Sequence, residues 1–296
     1  MTTNQDSIMV CTYGPSGIGK TTDQGYSFPR ALFVAAPGAL SSIRSTCGYE
    51  PASTHDIKTI LEATALLTQV RGEFEQVVID DFSFMAEQTF STLEKKYSGF
   101  KLWGKLRDVA LEFRNVARFC GMDVILNCWE QGPKTRDDGT KVRGGPMLSG
   151  RLPEQIPAMC DVVLRAKHDR SRSPWPASYE CSAHPSFVMK DRFNVASRAT
   201  PCPMNLAEIL RASGREVQRH PDLEANEEVV EAFTQNLQDA DSPIKKANEL
   251  YAMLLSEDVP TPVARWILRD AMDRHSIRTA LLKAEQTFIN TSGMIV

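Results

Sequence analysis

Paired cysteine motifs are missing from this chain. Its seven cysteines, at 11, 47, 120, 128, 160, 181 and 202, are scattered, odd in number and nowhere form C-x-x-C. That argues against a thiolate zinc site and a disulfide framework, and it fits a reducing compartment. The five histidines show no ligand spacing. No apolar run approaches the ~20 residues that cross a bilayer. Residues Met1 to Ser7 are polar and lack the apolar segment of a signal peptide. The expectation is a cytoplasmic protein with no membrane contact. Internal repeats and heptad runs are absent as well. A large excess of one charge is also lacking, since the net charge is −3. Binding to a polyanion is therefore permitted but not required.

What charge there is lies unevenly. Asp222 to Asp258 holds ten acidic and two basic residues, and Val259 to Val296 holds five basic and three acidic. A length of 296 residues with 42% hydrophobic content supports one large domain plus a small one. We expect a core over 1–214, an acidic linker over 215–241 and a helical appendage over 242–296.

The most informative stretch is Gly14-Pro15-Ser16-Gly17-Ile18-Gly19-Lys20-Thr21, which fits G-x-x-x-x-G-K-S/T, the Walker A phosphate loop. Glycines let successive backbone N–H groups turn toward phosphate oxygens. Lys20 supplies a charge for the β- and γ-phosphates, and Thr21 supplies a hydroxyl for Mg²⁺. Thr22 continues the nucleotide-binding run, and the helix that starts here adds its positive dipole end. The context agrees, because Ser7 to Thr12 reads as a short buried strand. Only a short helix fits before Pro29.

A second strand is expected over Ala31 to Ala36 and a helix over Asp56 to Val70, with an irregular segment from Ser41 to Thr54 between them. Gln76 to Asp81 is an apolar strand ending in carboxylates. Behind a phosphate loop this is the Walker B pattern, with Asp80 placed to hold the magnesium shell. Helices are expected over Ser83 to Tyr97 and Leu102 to Cys120, the second with a regular 3.6-residue apolar period. A buried strand follows over Met122 to Trp129. Gln131 to Gly150 reads as a long, polar, glycine-rich loop carrying Lys134, Arg136, Lys141 and Arg143. Such a loop is either functional or plain surface.

A strand over Asp161 to Arg165 comes next. A second basic loop holds Lys167, His168, Arg170, Arg172 and Trp175. Tyr179 to Cys181 and Phe187 to Lys190 read as a late hairpin, and Asn205 to Ala212 as a closing helix. Three further helices are expected in the tail, at Ser242-Pro243, at Thr261-Pro262 and after a cap at Ser276. Strands alternating with helices behind a phosphate loop predict an α/β fold with a mostly parallel central sheet. The nucleotide is expected at the carboxyl ends of its strands.

The loop Gly14 to Thr21, the strand Val77 to Asp80 and the late Lys190-Asp191-Arg192-Phe193-Asn194 occur in an order that resembles RecA-like P-loop ATPases. Lys190 to Asn194 resembles the KNRFG stretch of RadA recombinases and the Lys-x-Arg of DnaB-type helicases. In size and over Gly19 to Leu40 the chain is most similar to phage-encoded RecA-like ATPases of single-strand annealing and recombination, for which the compartment is the host cytoplasm. The resemblance covers residues 7 to 212 and implies ATP and Mg²⁺ as ligands. It also implies a homo-oligomeric ring or filament acting on single-stranded DNA.

By the same resemblance, Lys190 and Arg192 act as fingers in the next subunit's site, although the pair also fits a solvated cluster at a strand end. Residues 131 to 150 take the place of a DNA-binding loop. That loop has no aromatic residue for base stacking. The glutamate that RecA proteins carry after the second strand is missing, because that place reads Ala35-Ala36-Pro37-Gly38. Asp81 is the substitute base, or equally a capping residue or a support for the metal's ligands. Glu130 is a third candidate.

Three further readings follow from the same residues. A ring helicase or helicase loader would use the same core with the tail as docking piece. A nucleotide-gated module would use the tail to recruit a protein partner and hydrolyse little. A small-molecule kinase is disfavoured by the short first helix and the lack of an Arg-rich lid.

Overall fold

A computed structural model describes residues 7–36, 38–54, 56–169, 177–182 and 184–292. The first strand, β1 (Met9–Gly14), is buried along its whole length, as expected for an apolar run at the centre of a parallel sheet. It feeds the phosphate loop and α1 (Lys20–Ser27). β2 (Leu32–Val34) follows, then a π-helical turn over Ile43–Cys47 and the edge strand β3 (Ser53–Thr54). α2 (Ile60–Gln69) starts at a full capping box between Thr59 and Glu62, which satisfies two donors at its amino end. β4 (Gln76–Ile79), α3 (Phe82–Glu94), α4 (Gly99–Phe119) and β5 (Asp123–Gln131) come next.

β5 ends in a ribbon of β6 (Lys134–Thr135) and β7 (Lys141–Val142), and then β8 (Gly145–Pro146) returns to pair with β5. α5 (Leu152–Met159) leads to β9 (Val162–His168) and β10 (Ala177–Glu180). β11 (Lys190–Asp191), β12 (Cys202–Pro203) and α6 (Leu206–Ala212) close the core. The tail is α7 (Pro221–Glu224), α8 (Glu227–Gln238), α9 (Pro243–Ser256) and α10 (Thr261–Ser292).

The strand order is β12-β10-β9-β1-β5-β4-β2-β3, with β11 also on β9 and β8 also on β5. The run from β9 through β1, β5, β4 and β2 to β3 is parallel throughout. The expected α/β fold with a mostly parallel central sheet is therefore present. β5 separates the phosphate-loop strand from the Walker B strand.

Side chains alternate between two buried layers. Met9, Cys11, Tyr13, Val77, Ile79 and Leu126 face the layer formed with α2 to α5. Val10, Phe33, Val78, Ile125 and Leu164 face the layer shared with α1, α6 and the tail helices. Each large apolar side chain buried in this way contributes about 1.5–3 kcal/mol of transfer free energy.

Several local expectations are corrected. Residues 131–150 contain a hydrogen-bonded ribbon rather than an irregular loop, with a turn in which Arg136 N donates to Thr140 O at 2.9 Å. The late hairpin does not form, because β10 and β11 each pair antiparallel with β9, at Arg165–His168 and at Val162–Val163. The acidic stretch holds α7 and α8, whose Leu223, Val230, Phe233 and Leu237 are buried in the same cluster as α10. α10 runs through Ser276 without a break, since Ala271 and Ile277 are buried on either side of it. A local cap residue does not end a helix whose apolar face continues. Part of the second basic loop, with Arg170, Arg172 and Trp175, lies outside the described residues.

Candidate functional site

The site is assembled at the carboxyl ends of β1, β4 and β5. Gly14 closes β1 against the end of β9, where an added Cβ would stand 2.6 Å from the Ala166 carbonyl oxygen. A side chain here would push the two strands apart. Gly17 and Gly19 have φ of 76° and 102°, the left-handed region that glycine enters without penalty. Neither would meet an atom within 4 Å on adding a Cβ, so both backbones border open space. This is the cradle that a phosphate chain needs at a helix amino terminus.

The Lys20 ammonium donates to the carbonyls of Gly14 and Pro15, both at 3.0 Å. Burial pulls its pKa down, and the Asp80 carboxylate is the largest opposing influence. The Thr21 hydroxyl donates to Asp80 at 3.0 Å from Oδ2 and 3.2 Å from Oδ1. A hydroxyl and a carboxylate in contact beside an anion cradle are the protein oxygens that would hold a magnesium ion and supply charge neutralisation there. The donor set thus fits Mg²⁺ with a nucleotide.

Asp80 is buried, and burial raises its pKa, while the hydrogen bonds from Asn127 and Thr21 act against that. Asn127 donates to Asp80 Oδ1 at 2.9 Å and to Gln24 Oε1 at 2.8 Å. It accepts from the Thr12 hydroxyl at 2.5 Å. Thr12, Gln24 and Asn127 therefore form a buried bracket from β1, α1 and β5 that fixes the Asp80 carboxylate. Sequence reasoning missed all three. The signal was a polar residue inside each of two otherwise apolar strands.

Asp81 has a left-handed backbone at φ 70°. It is the amino-terminal cap of α3, with Oδ1 accepting from Phe84 N at 3.1 Å. Burial raises its pKa. Of the three readings left open for Asp81, base, cap or support for the metal's ligands, the capping contact is the one formed here. Glu130 is gripped by Arg165 through two bonds of 2.9 Å. Arg165 also reaches Glu180 at 3.2 Å, and its guanidinium lies 3.6 Å from the Phe187 ring centroid. The Glu130 carboxylate still adds to the negative field at Lys20.

Lys190 and Arg192 lie at the other end of the sheet. Lys190 donates to the Cys160 carbonyl at 2.6 Å and the Ala158 carbonyl at 3.1 Å, capping the carboxyl end of α5. Arg192 pairs with Asp161 at 2.5 Å, and Asp161 also holds Arg118 and the Met9 amide. Met9 and Gly14 are the two ends of β1, roughly 16 Å apart at strand rise. The four basic residues of the ribbon are brought together. Lys134, Arg136, Lys141 and Arg143 line one cleft of about 520 Å³ against the start of α5, and all four are exposed.

Among the described residues, no helix is long and apolar enough to cross a membrane, and no group of three or more His, Cys, Asp or Glu is arranged to hold a metal ion. The profile of the family described as AAA domain matches residues 6–193. A crystal structure of a KaiC-like protein from Pyrococcus horikoshii is similar, with 15% identity, a TM-score of 0.38, and coverage of 62% of this chain and 83% of that one. The structure of the RadB recombinase is similar with 19% identity, a TM-score of 0.38, and coverage of 62% and 86%. No curated protein sequence matches.

Proposed function

The chain belongs to the AAA-domain family, and from that premise we propose that it binds and hydrolyses ATP as a homo-oligomer acting on single-stranded DNA in recombination or replication. The observation that carries the reading is the contact of Thr21 with Asp80 at the head of α1, beside Lys20. Bound Mg²⁺ supplies charge neutralisation on the phosphate oxygens. The chain's own groups do the rest. Backbone amides from Gly17 to Thr21 bind the phosphates, and Lys20 exchanges two loop carbonyls for phosphate oxygens. Asn127 holds Asp80 in place.

In the reaction, water attacks the γ-phosphorus, the bond to the β–γ bridging oxygen breaks, and ADP and inorganic phosphate leave. The attacking water loses its proton to Asp81 or to the phosphate itself. Lys190 and Arg192 sit too far from their own loop to serve it, and that supports a role in a neighbouring subunit's site. The clustering of Lys134, Arg136, Lys141 and Arg143 on one exposed ribbon supports phosphate tracking along a single strand.

The test is steady-state ATP hydrolysis with and without single-stranded DNA, with Lys20→Ala as the blank. Stimulation by single strands is the expected result. Turnover at the level of the blank under both conditions would remove the ATPase reading. A second reading has one observation in its favour. Both candidate bases are engaged, Asp81 in a helix cap and Glu130 by Arg165. That supports a slow, nucleotide-gated module that recruits a protein through its tail, and ATP binding without turnover would select it.

A further inference from the structure

The ribbon cleft carries four cations, and no aromatic side chain lines it among the described residues. By itself it can hold phosphates but has no ring on which a base could stack. One of its walls is Gly150, and an indole lies directly against that residue. A Cβ added to Gly150 would fall on Cζ3 of Trp103 and stand 2.9 Å from its Cε3. Lacking a side chain, Gly150 lets the Trp103 ring close on the backbone at the edge of the cleft. Trp103 is still 45% exposed, and Phe100, one turn before it on α4, is 97% exposed. We propose that single-stranded DNA leaving the ribbon cleft crosses Gly150 and stacks bases on Trp103 and Phe100. The amino end of α4 then holds bases while the ribbon holds phosphates. The inference rests on the single-stranded DNA reading above and extends it to residues which that reading does not use.

The rings are placed for this. A phenylalanine side chain gains by burial, and Phe100 forgoes nearly all of that gain. Residues three apart on a helix are neighbours, with about 5–6 Å between their Cβ atoms. Phe100 and Trp103 therefore offer adjacent faces to successive bases of one strand. Phe90 of α3 backs the indole, with ring centroids 5.3 Å apart and planes at 34°. Trp103 is thus held between Phe90 and Gly150 with part of its ring left open. Stacking of this kind accepts any base, because every base has a π-face.

The charges agree. From Glu94 to Arg107 there are five basic residues, Lys95, Lys96, Lys101, Lys105 and Arg107, against one acidic residue. All five are exposed. Asp108 offsets part of this, lying 3.6 Å from Lys105 and 3.6 Å from Arg107. Lys101, between the two rings in sequence, stands 5.4 Å from the Tyr97 ring centroid. Cations interleaved with exposed aromatics make a surface that tracks a backbone and stacks its bases. A protein partner covering the rings would have to desolvate several of these cations. Phosphates offset that cost, and an apolar protein surface does not.

The test is a binding titration of the full chain with two labelled oligomers of equal length and charge. One is oligo-dT, and the other is its abasic counterpart, a deoxyribose-phosphate chain without bases. The parent chain is expected to bind oligo-dT about five-fold or more tighter than the abasic chain. Phe100→Ala changes an exposed position, so the fold survives it. It is expected to weaken oligo-dT by about five-fold or more and to leave the abasic chain within about two-fold. Trp103→Phe keeps a ring against Gly150. It is expected to hold oligo-dT within about three-fold of the parent and to remove the tryptophan quenching that oligo-dT causes there. The log–log salt slope is expected to stay the same in both variants, since neither loses a cation. Equal affinity of the parent for the two oligomers overturns the inference alone. So does a Phe100→Ala variant that binds oligo-dT as the parent does, or quenching that persists undiminished in Trp103→Phe. Failure of both oligomers to bind the parent removes the single-stranded DNA reading and the inference with it.

Discussion

The carboxylate of Asp23 and the guanidinium of Arg269 meet at 3.6 Å, joining the phosphate-loop helix to the C-terminal helix. Asp23 is fully buried and accepts a second bond, of 2.6 Å, from the Tyr179 hydroxyl. Arg269 donates to the Met204 carbonyl at 2.5 Å and lies 4.2 Å from the Tyr26 ring centroid. Removing one partner of a buried ion pair leaves the other charge uncompensated. Arg269→Met is expected to cost about 3–5 kcal/mol, read from urea unfolding. Combined with Asp23→Asn it is expected to cost less than the sum of the two single changes. Strict additivity would show that the pair is not coupled.

Asn127 is expected to act through Asp80. Asn127→Leu removes one donor from the Asp80 carboxylate and one acceptor from Thr12. Loss of such a supporting bond typically costs 10–100-fold in metal affinity. The Mg²⁺ concentration for half-maximal ATP turnover is therefore expected to rise by about ten-fold or more, with unfolding still cooperative. An unshifted Mg²⁺ curve would detach Asn127 from the metal site.

The ribbon makes a salt-dependent prediction. Alanine at Lys134, Arg136, Lys141 and Arg143 together is expected to weaken single-stranded DNA binding. It is also expected to flatten the log–log salt slope by up to about 0.7 for each side chain removed. All four are exposed, so stability is expected to change by no more than about 0.5 kcal/mol for each. A slope identical to that of the parent chain would move the DNA contact elsewhere.

For the pair at the foot of the sheet, Lys190→Ala with Arg192→Ala is expected to reduce turnover by about 10²-fold or more, as loss of a charge-stabilising donor does. ATP affinity is expected to change little. Asp161 keeps Arg118 at 2.5 Å in the double variant, so the strand end retains a cation. Unchanged turnover at high protein concentration would reduce both residues to local caps.

Asp270 gives a pH prediction. It is fully buried, and burial, with Glu208 adding to it, raises its pKa to about 7 against the pull of Arg219 and Arg211. A carboxyl group whose pKa is raised on folding favours the folded state below its unfolded pKa of about 3.9. That contribution fades as pH climbs through about 7. Asp270→Asn removes it. The stability of the variant relative to the parent is therefore expected to improve steadily from about pH 4 to about pH 8. Parallel stability curves for the two would show that Asp270 keeps its ordinary acidity.

The phosphate loop was legible because its chemistry is contiguous, with each residue of Gly14 to Thr21 fixed by its neighbours in the chain. Asp80 was legible because an apolar strand announces its own end. Asn127 was not, since a single asparagine in a strand carries no spacing. It meets Asp80 only because β5 is inserted between β1 and β4, with Thr12 opposite Asn127 and Ile79 opposite Leu126. The Arg165 grip on Glu130 depends in the same way on β9 lying across β1 from β5.

The ribbon escaped notice because strands of two residues are too short to show an alternating pattern. Ser276 misled because capping chemistry is local, while the continuity of α10 is decided by the surface it covers. The attachment of the tail to the phosphate-loop helix is invisible in sequence, because Trp266 is 240 residues from Tyr26.

That separation has a consequence for how the molecule comes into being. A ribosome delivers the amino end first, so the phosphate loop emerges long before the helix that braces it. Until α10 arrives, Asp23 lacks its cation and Tyr26 lacks the carbonyl it donates to. The bracing of the phosphate-loop helix is thus among the last contacts the nascent chain forms, although that helix is among the first segments made.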